Sequence, residues 1–227
     1  MKIILFGATG MVGQGVLREC LLDPGVERVL AVGRSGTGQP HDKLRELVHA
    51  DLSDLSAIEG ELSGYDACFY CLGVSSTGMS EADYTRVTHD FTLAAARLLA
   101  RLDPGMTFIY VSGAGTDASE RGLSMWARVK GKTENAVRKL PFKATYMFRP
   151  GIIQPMHGIV SRTRFCRAFY SVTGPLFPVV NAHTPGLVTT TERVGKAMLR
   201  VAREGSPAAV LENRHINALA KDDARAT

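Results

Sequence analysis

The sequence predicts an α/β fold in which a doubly wound parallel sheet is followed by a small C-terminal cap. Short apolar runs alternate with helix-like segments through residue 150, as expected for a parallel sheet with helices on both faces. After that point four prolines interrupt the alternation: Pro155, Pro175, Pro178 and Pro185. The 227 residues suit one domain of this kind. We therefore expect a single domain over residues 1–227, in which residues 151–185 form the cap.

The apolar runs predict six strands: Lys2–Phe6, Arg28–Val32, Glu46–His49, Ala67–Leu72, Thr107–Val111 and Ala144–Phe148. Helical patterns fit Val12–Leu22, Glu81–Arg101 and Met125–Lys139, and Asp54–Glu61 is a shorter candidate with Asp54 as its cap. Within the cap, Ile159–Val172 has helical periodicity. The last helix is expected to begin near Thr191, a good N-cap residue, and to end at about Arg203.

The first strand leads directly into a glycine-rich turn. Gly7, Gly10 and Gly13 stand between an apolar strand and a helical pattern, with the spacing G-x-x-G-x-x-G. This arrangement is typical of Rossmann-like sheets, in which backbone N–H groups at a helix N-terminus bind a diphosphate. Gly7 allows the tight turn, Gly10 lets the backbone approach the phosphates, and Gly13 allows close helix packing. We expect a dinucleotide site here that also includes Thr9, Met11 and Val12; a structural turn that binds nothing is the alternative.

Composition excludes several classes of protein. Apolar residues make up 45% of the chain and charged residues 22%, which is ordinary for a globular protein. No apolar run approaches the roughly 18 residues of a membrane span. The apolar start breaks at Gly7 and is too short for a signal peptide, so we expect a cytoplasmic protein.

The formal net charge of +5 is unevenly distributed. Residues 135–191 contain no Asp or Glu and carry seven basic residues: Arg138, Lys139, Lys143, Arg149, Arg162, Arg164 and Arg167. This segment favours an anionic cofactor or substrate, and a solvated basic face is the alternative. A nucleic-acid partner is not expected, because interleaved aromatic residues are lacking. A membrane partner is not expected either. The basic segment Ile159–Val172 could lie on an anionic membrane, but Arg162 falls near its apolar side and a cap helix accounts for its apolar residues equally well. A homodimer is possible.

Cys68 and Cys71 form a C-x-x-C motif, which is found in redox and metal sites. Both cysteines lie in the apolar run 67–72, where residues three apart point to opposite faces of a strand. Neither a second cysteine pair nor a metal-ligand spacing of histidines accompanies them. We therefore expect buried core thiols and no metal site.

Seven short segments together resemble the atypical group of the short-chain dehydrogenase/reductase superfamily. They are G7-A-T-G10-M-V-G13, A31-V-G-R34, A50-D51-L52, C71-L-G73, Y110-V-S112, K130-G and R149-P-G151. The segments occur in the order of that superfamily and extend over about two thirds of the chain. NmrA-like proteins and Tat-interacting-protein-like reductases are the most similar subgroups, and the resemblance implies a nicotinamide cofactor.

Arg34 follows the second strand, where NAD-preferring proteins carry an acid for the ribose 2′-hydroxyl. A guanidinium can instead bind a 2′-phosphate through two parallel hydrogen bonds, which favours NADP(H). A surface arginine is the alternative. The resemblance further implies that Asp51 and Leu52 contact the adenine and that Leu72 and Gly73 lie beside the cofactor's sugars. It also implies that Pro150, Gly151 and Ile152 form the loop below the nicotinamide.

The resemblance implies a Ser-Tyr-Lys relay, in which Ser112 is the serine and Lys130 is the ribose-binding lysine. Trp126 occupies the tyrosine position, four residues before Lys130. An indole N–H has no proton to give at neutral pH, so the usual proton transfer is disabled unless another group replaces the phenol. Tyr84, Tyr170 and a water held by Ser112 are candidates. Trp126 could stack on the nicotinamide or on an aromatic substrate, or simply fill space. Lys130 could likewise be a solvated helix lysine.

The sequence therefore predicts an NADP(H)-dependent oxidoreductase that acts on a small carbonyl or activated alkene, with anionic and aromatic compounds as the candidate substrates. The main alternative is a non-catalytic NADP(H)-sensing regulator of the NmrA-like type. Loss of the tyrosine together with retention of the glycines and Arg34 fits such a history. An epimerase acting on nucleotide sugars is a third possibility, for which the cap looks short.

Overall fold

A computed structural model describes residues 1–159 and 186–221. Its centre is a parallel sheet of seven strands in the order β3-β2-β1-β4-β5-β6-β9. A separate parallel pair joins β7 to β8. The strands are β1 (Lys2–Phe6), β2 (Arg28–Gly33), β3 (Leu44–Val48), β4 (Ala67–Tyr70), β5 (Thr107–Val111), β6 (Ala144–Arg149), β7 (Ile152–Gln154), β8 (Val188–Thr190) and β9 (Val210–Glu212).

The α-helices are α1 (Met11–Leu22), α2 (Glu81–Thr85), α3 (Phe91–Leu102), α4 (Met125–Val137), α5 (Thr191–Glu204) and α6 (Asn213–Leu219). A π-helical stretch, Arg86–Asp90, joins α2 to α3 and packs against α4. A 3₁₀-helix over Ser56–Glu61 replaces the short predicted helix. The Rossmann-like doubly wound α/β fold predicted from the sequence is thereby confirmed.

The burial of β1 on both faces of the sheet explains why its residues from Ile3 to Phe6 form a continuous apolar run. Ile3 and Leu5 belong to the buried cluster on one face, whereas Ile4 and Phe6 belong to the cluster on the other. A parallel strand covered by helices on both faces must be apolar at every position, so it lacks the polar alternation of a half-exposed strand. The sheet consequently has a core on each side.

Helix α5 packs against α1 beside the glycine turn. A Cβ on Gly15 of α1 would lie 2.5 Å from the Thr191 Cβ, so only glycine permits this contact. The sequence places the start of this helix correctly but misassigns its cap. The hydroxyl of Thr190, not that of Thr191, accepts the N–H of Arg193 at 3.0 Å, and Thr191 is fully buried.

The C-terminal third contains more sheet than the sequence predicts. Strands β7, β8 and β9 have three residues each, too few for an alternating pattern to be recognised. They are defined by their neighbours: β9, for example, adds to the outer edge of β6. Most of the predicted cap, including nearly all of the predicted helix Ile159–Val172, lies outside the described residues.

Candidate functional site

The glycine turn after β1 adopts a conformation that two of its glycines make possible. Gly7 has φ +82°, and a Cβ there would lie 2.6 Å from the backbone N of Leu72. A Cβ on Gly13 would lie 2.0 Å from the carbonyl oxygen of Gly7. Gly13 therefore allows α1 to pack on the turn itself, rather than on the strand as the sequence suggested.

Gly10 differs from these two glycines, because the protein itself leaves space for a Cβ. It has φ −79°, and its Cβ would meet only the Gly7 oxygen, at 3.4 Å. It is the N-cap of α1, no side chain caps the helix, and no acid lies in the first turn. The first N–H groups of a helix have no intrahelical partner and attract anions. Those of Met11, Val12 and Gly13 are therefore available to a diphosphate.

A small cavity of about 90 Å³ continues from this turn along the carboxyl ends of β1, β2 and β3. Thr9, Arg34, Leu52 and Leu72, all predicted site residues, are in its lining. Asp51 behaves differently: its carboxylate accepts the backbone N–H of Ser53 at 2.8 Å and the Ser53 hydroxyl at 2.5 Å. These hydrogen bonds lower the pKa of Asp51. The carboxylate thus stabilises its own loop.

Glu46 also lines this cavity, which the sequence reasoning missed. Its carboxylate accepts the backbone N–H of Thr37 at 2.5 Å and also the Thr37 hydroxyl. A Cβ on Gly36 would lie 2.7 Å from the same carboxylate. The cavity lined by Arg34 therefore also contains the carboxylate of Glu46, although no acid follows β2 directly in the sequence. No sequence signal joins Thr37 to Glu46, because only the parallel pairing of β2 and β3 brings them together.

In the other half of the same sheet edge, Ser112 directly follows β5. Its hydroxyl forms hydrogen bonds with other groups of the protein. It donates to the Glu134 carboxylate at 2.5 Å, accepts the N–H of Gly113 at 2.6 Å and lies 2.8 Å from the Thr116 hydroxyl. Ser112 is buried. A hydroxyl has one proton, and here that proton is committed to Glu134. The expected donation from Ser112 to a substrate carbonyl is therefore absent from this arrangement.

Glu134 in turn is held by Arg149. Arg149 Nε lies 2.9 Å from one carboxylate oxygen and Nη2 lies 2.5 Å from the other, a bidentate pair. The Glu134 side chain is 2% exposed and that of Arg149 13%. A weaker contact of 3.3 Å joins Arg149 to Glu212. Arg149 is one of the seven basic residues in the segment 135–191, which contains no acid. Its charge is thus neutralised by Glu134 and Glu212, which lie outside that segment.

Trp126 lies in the first turn of α4 with its ring against the loop after β5. A Cβ on Gly113 would lie 3.9 Å from the indole, and one on Gly115 would lie 3.5 Å away. The residues after β5 that lie nearest the indole are therefore Gly113 and Gly115, and neither carries a hydroxyl. Neither these glycines nor Trp126 has a side-chain proton that ionises at neutral pH.

Lys130 follows one helical turn after Trp126, and its ammonium group is directed to the end of β5. Nζ donates to the carbonyl oxygen of Ser112 at 3.1 Å and lies 5.5 Å from the centre of the Tyr110 ring. Burial lowers the pKa of Lys130 to about 8, and the carboxylate of Glu134 opposes that effect. Lys130 is half-buried, which contradicts the alternative of a solvated helix lysine.

Two of the three candidates to replace the missing phenol are tyrosines, and the structure describes one of them. Tyr84 is 1% exposed, and burial raises its pKa, which makes it a poor acid. Tyr170 lies outside the described residues. Tyr110 is also buried, with a pKa raised mainly by burial.

Pro150 and Gly151 join β6 to β7, and Ile152, which was expected in the same loop, is the first residue of β7. The Pro150 oxygen accepts the N–H of Ala114 at 2.9 Å, so this loop contacts the loop after β5. Asn213 accepts the Gly151 N–H at 3.0 Å and donates to the Gly186 oxygen at 2.9 Å. It therefore joins Gly151, the first residue of the predicted cap, to Gly186, the first residue after it. A Cβ on Gly73, after β4, would meet no atom within 4 Å.

The cysteine motif behaves as a pair of core residues. Cys68 belongs to the cluster on one face of the sheet and Cys71 packs against the cluster on the other. Burial raises the pKa of both thiols. The described ranges 1–159 and 186–221 contain no cluster of three or more His, Cys, Asp or Glu side chains that could hold a metal ion. They also contain no helix that could span a membrane.

Comparison with known proteins agrees with this geometry. The model of the NAD dependent epimerase/dehydratase family matches residues 3–120, which include the glycine turn and β5. The chain belongs to this family. The resemblance to the atypical short-chain dehydrogenases/reductases, an NAD(P)-binding oxidoreductase family, is confirmed by the same match and by the relatives below.

Among similar proteins, protein fmp52, mitochondrial, of Emericella nidulans is 28% identical over 203 residues, covering 86% of this chain and 84% of its own. Protein HTATIP2 of Rattus norvegicus is 28% identical over 155 residues, covering 67% of this chain and 62% of its own. The Bordetella bronchiseptica enzyme WbmF in complex with NAD+ has the same fold, with a TM-score of 0.67 and 17% identity, covering 96% of this chain and 76% of its own.

The predicted cytoplasmic location is wrong on this evidence. The fmp52 proteins of Emericella nidulans, Aspergillus clavatus and Aspergillus fumigatus are all named as mitochondrial. The prediction depended on the short apolar stretch before Gly7. A short apolar stretch of this kind does not distinguish among the compartments of a cell.

Proposed function

We propose that this protein is an NADP(H)-dependent oxidoreductase of the atypical short-chain type, acting on a small carbonyl or activated alkene. The observation that carries the proposal is the uncapped N-terminus of α1, which lies beside a cavity lined by Arg34. Exposed N–H groups at a helix N-terminus favour a diphosphate, and a guanidinium at the cavity favours a 2′-phosphate. Family membership supports the same class of cofactor.

The space around the turn fits such a cofactor. A Cβ on Gly10 or on Gly73 would fill room that the protein leaves free. In the proposed complex, residues 10–13 bind the diphosphate, Leu52 and Leu72 contact the adenosine, and Arg34 binds the 2′-phosphate. Lys130 holds the nicotinamide ribose, and residues 150–152 lie below the ring. When bound, a reduced nicotinamide supplies the hydride.

The substrate side is formed by Trp126 and the glycine loop after β5. An indole face favours a flat or aromatic substrate through stacking and apolar contact. Ser112 acts indirectly in this proposal: its hydroxyl and Glu134 fix the loop that carries Gly113. We expect the cap over residues 151–185 to complete the pocket and to select the substrate within a single domain.

A second candidate is a non-catalytic protein that senses NADP(H). It is favoured by two facts about the substrate side, namely the indole in place of a phenol and the commitment of the Ser112 proton to Glu134. Such a protein would bind the cofactor as tightly as an enzyme but would not oxidise it.

Calorimetry tests the cofactor part of the proposal. We expect NADPH to bind more tightly than NADH, and Arg34→Ala to remove most of that difference. Arg101→Ala is the control, because Arg101 is an exposed arginine that pairs with Glu59. Equal affinities of the wild-type protein for the two cofactors would refute the assignment of Arg34. Absence of binding by either would refute the proposed site.

Turnover distinguishes the two candidate functions. NADPH oxidation is followed at 340 nm with 4-nitrobenzaldehyde, 2,3-butanedione and 9,10-phenanthrenequinone as probes. An oxidoreductase reduces at least one of them, whereas a sensor binds NADPH and reduces none.

Trp126→Tyr should increase turnover where only the acid is missing. Loss of an existing activity in this variant would instead show that the indole contributes to binding.

A further inference from the structure

The side chains that usually move a proton beside a nicotinamide do not do so here. The Trp126 indole does not ionise at neutral pH. The proton of Ser112 is donated to Glu134, and the Glu134 carboxylate is itself held by Arg149. Tyr84 and Tyr110 are buried with raised pKa values. In the part of the chain that the structure describes, this leaves Lys130 as the titratable group at the end of β5.

The geometry of Lys130 suits a second role besides holding a ribose. An ammonium group has three N–H bonds, and one of them is directed to the Ser112 oxygen at 3.1 Å. Among the described residues no other hydrogen bond of this group is formed, which leaves two N–H bonds for a ribose hydroxyl and a substrate oxygen. Trp126, four residues earlier, shares the same face of α4, so a substrate stacked on the indole lies near Nζ.

The charged groups around Lys130 are largely paired with one another. Glu134 on the same helix is bound to Arg149 of β6, and Glu81 of α2 is paired with Arg128 of α4. On the π-helical stretch, His89 pairs with Asp90. Tyr110 on β5 and Tyr84 on α2 are neutral phenols. Within the described ranges no carboxylate forms an ion pair with Lys130, so burial of its charge is only partly compensated.

We propose that Lys130 is the proton donor of this site, an assignment that rests on the nicotinamide site proposed above. In the reductive direction an Nζ–H bond breaks and its proton goes to the substrate's carbonyl oxygen. The carbonyl carbon receives a hydride, with its electron pair, from the reduced nicotinamide. The products are the alcohol, the oxidised nicotinamide and a neutral lysine, which takes up a proton from water.

Proton transfer is most efficient when the pKa of the donor lies near the working pH. A lysine with its usual pKa holds its proton too tightly, whereas burial brings that of Lys130 to about 8. An arginine at the same place would be a poor proton donor, because a guanidinium does not give up its proton in the working pH range.

Competitive labelling tests the titration without any cofactor. The protein is treated with a trace of acetic anhydride between pH 6 and pH 11, and acetylation of each lysine is measured by mass spectrometry. Lys132 is the matched control, because it lies two residues along α4 and is exposed. We expect Lys130 to titrate near pH 8, about two pH units below the ordinary value for a lysine. Coincident titration curves would overturn the assignment.

Steady-state kinetics with NADPH and 4-nitrobenzaldehyde tests the role itself. We expect kcat to fall above about pH 8, as the donor loses its proton. Lys130→Arg should lower kcat at least 100-fold, within the range of about 10²–10⁴ for general acid catalysis, and should leave the KM for NADPH within a few-fold. Lys132→Arg should behave as the wild type does.

The outcomes separate the two proposals. If calorimetry detects NADPH binding but Lys130→Arg keeps its turnover, or if Tyr170→Phe alone abolishes turnover, the donor role of Lys130 is refuted while the cofactor site stands. If NADPH binds and no probe is reduced, the protein is a sensor and the donor role is refuted as well. If no NADPH binds, both proposals fail.

Discussion

The two halves of the sheet edge use their polar groups in opposite ways. Around β1 and β2 the helix N-terminus is uncapped and Arg34 is exposed, so these groups are open to a ligand. Around β5 and α4 the polar groups satisfy one another, in a chain from Ser112 through Glu134 to Arg149. The first half is organised to receive a cofactor and the second to hold a fixed loop. Cofactor binding and fold stability should therefore respond to different substitutions.

The largest effect is expected in the second half, for Glu134→Gln. This change removes the buried negative charge that faces the Arg149 guanidinium, so that among the described residues Glu212, at 3.3 Å, is the carboxylate that remains paired with it. Removing one partner of a buried ion pair costs about 3–5 kcal/mol. Urea denaturation of the cofactor-free protein should show a loss of this size.

Glu59→Gln is the control for that experiment. Glu59 pairs with Arg101, whose side chain is 66% exposed, and exposed pairs contribute about 0–1 kcal/mol. Similar losses in both variants would show that the Glu134–Arg149 pair is no more than another surface contact. Our distinction between the two halves would then lose its basis.

The halves also differ in how far sequence could predict them. The glycine turn was predictable because its constraints are local: strand, turn and helix follow within fifteen residues. Strand β5 was found with its exact ends, Thr107 and Val111, because a strand buried on both faces is apolar at every position.

The substrate side depends on residues far apart in the chain, which sequence patterns do not connect. Ser112 was recognised by its position, but the direction of its hydroxyl is set by Glu134, 22 residues later. The spacing of four between Lys130 and Glu134 could have drawn attention to that acid, since such residues share a helix face. Nothing in the sequence indicated that Arg149 would bind it.

A smaller effect, confined to cofactor binding, is expected for Gly10→Ala. The backbone at Gly10 has a negative φ and room for a methyl group, so the fold should tolerate alanine. A diphosphate that approaches the same backbone would meet the methyl group. We expect at least a tenfold loss of NADPH affinity, about 1.4 kcal/mol, by calorimetry.

Gly60→Ala is the matched control, because a Cβ there meets nothing within 4 Å and the residue lies outside the cavity. It should bind NADPH as the wild type does. Unchanged affinity in Gly10→Ala would mean that the diphosphate binds elsewhere.

Glu46→Gln should have a smaller effect and of the opposite sign. The amide oxygen can still accept the hydrogen bonds of Thr37, but the negative charge near Arg34 is removed. A 2′-phosphate would be repelled by the carboxylate and not by the amide. NADPH affinity should rise about three- to tenfold, or roughly 0.7–1.4 kcal/mol, while NADH affinity stays the same. A parallel rise for both cofactors would assign Glu46 a role in loop structure alone.

The smallest effect concerns how stability depends on pH at Lys130. Its pKa is about 8 in the folded protein and about 10.4 in the unfolded chain, so below pH 8 the cost of burying the ammonium is present in full. Between these values the unfolded chain binds more protons, and stability rises with pH until the cost is gone. Lys130→Met has no such cost at any pH. Between pH 7 and pH 10 the melting temperature of the wild-type protein should therefore rise by about 2–4 °C relative to that of Lys130→Met. This rise corresponds to roughly 1 kcal/mol in the free energy of unfolding, as expected for a half-buried group. Against Lys132→Met, which keeps Lys130, the wild-type melting temperature should gain nothing over the same range. Equal slopes in all three proteins would place the Lys130 ammonium in water.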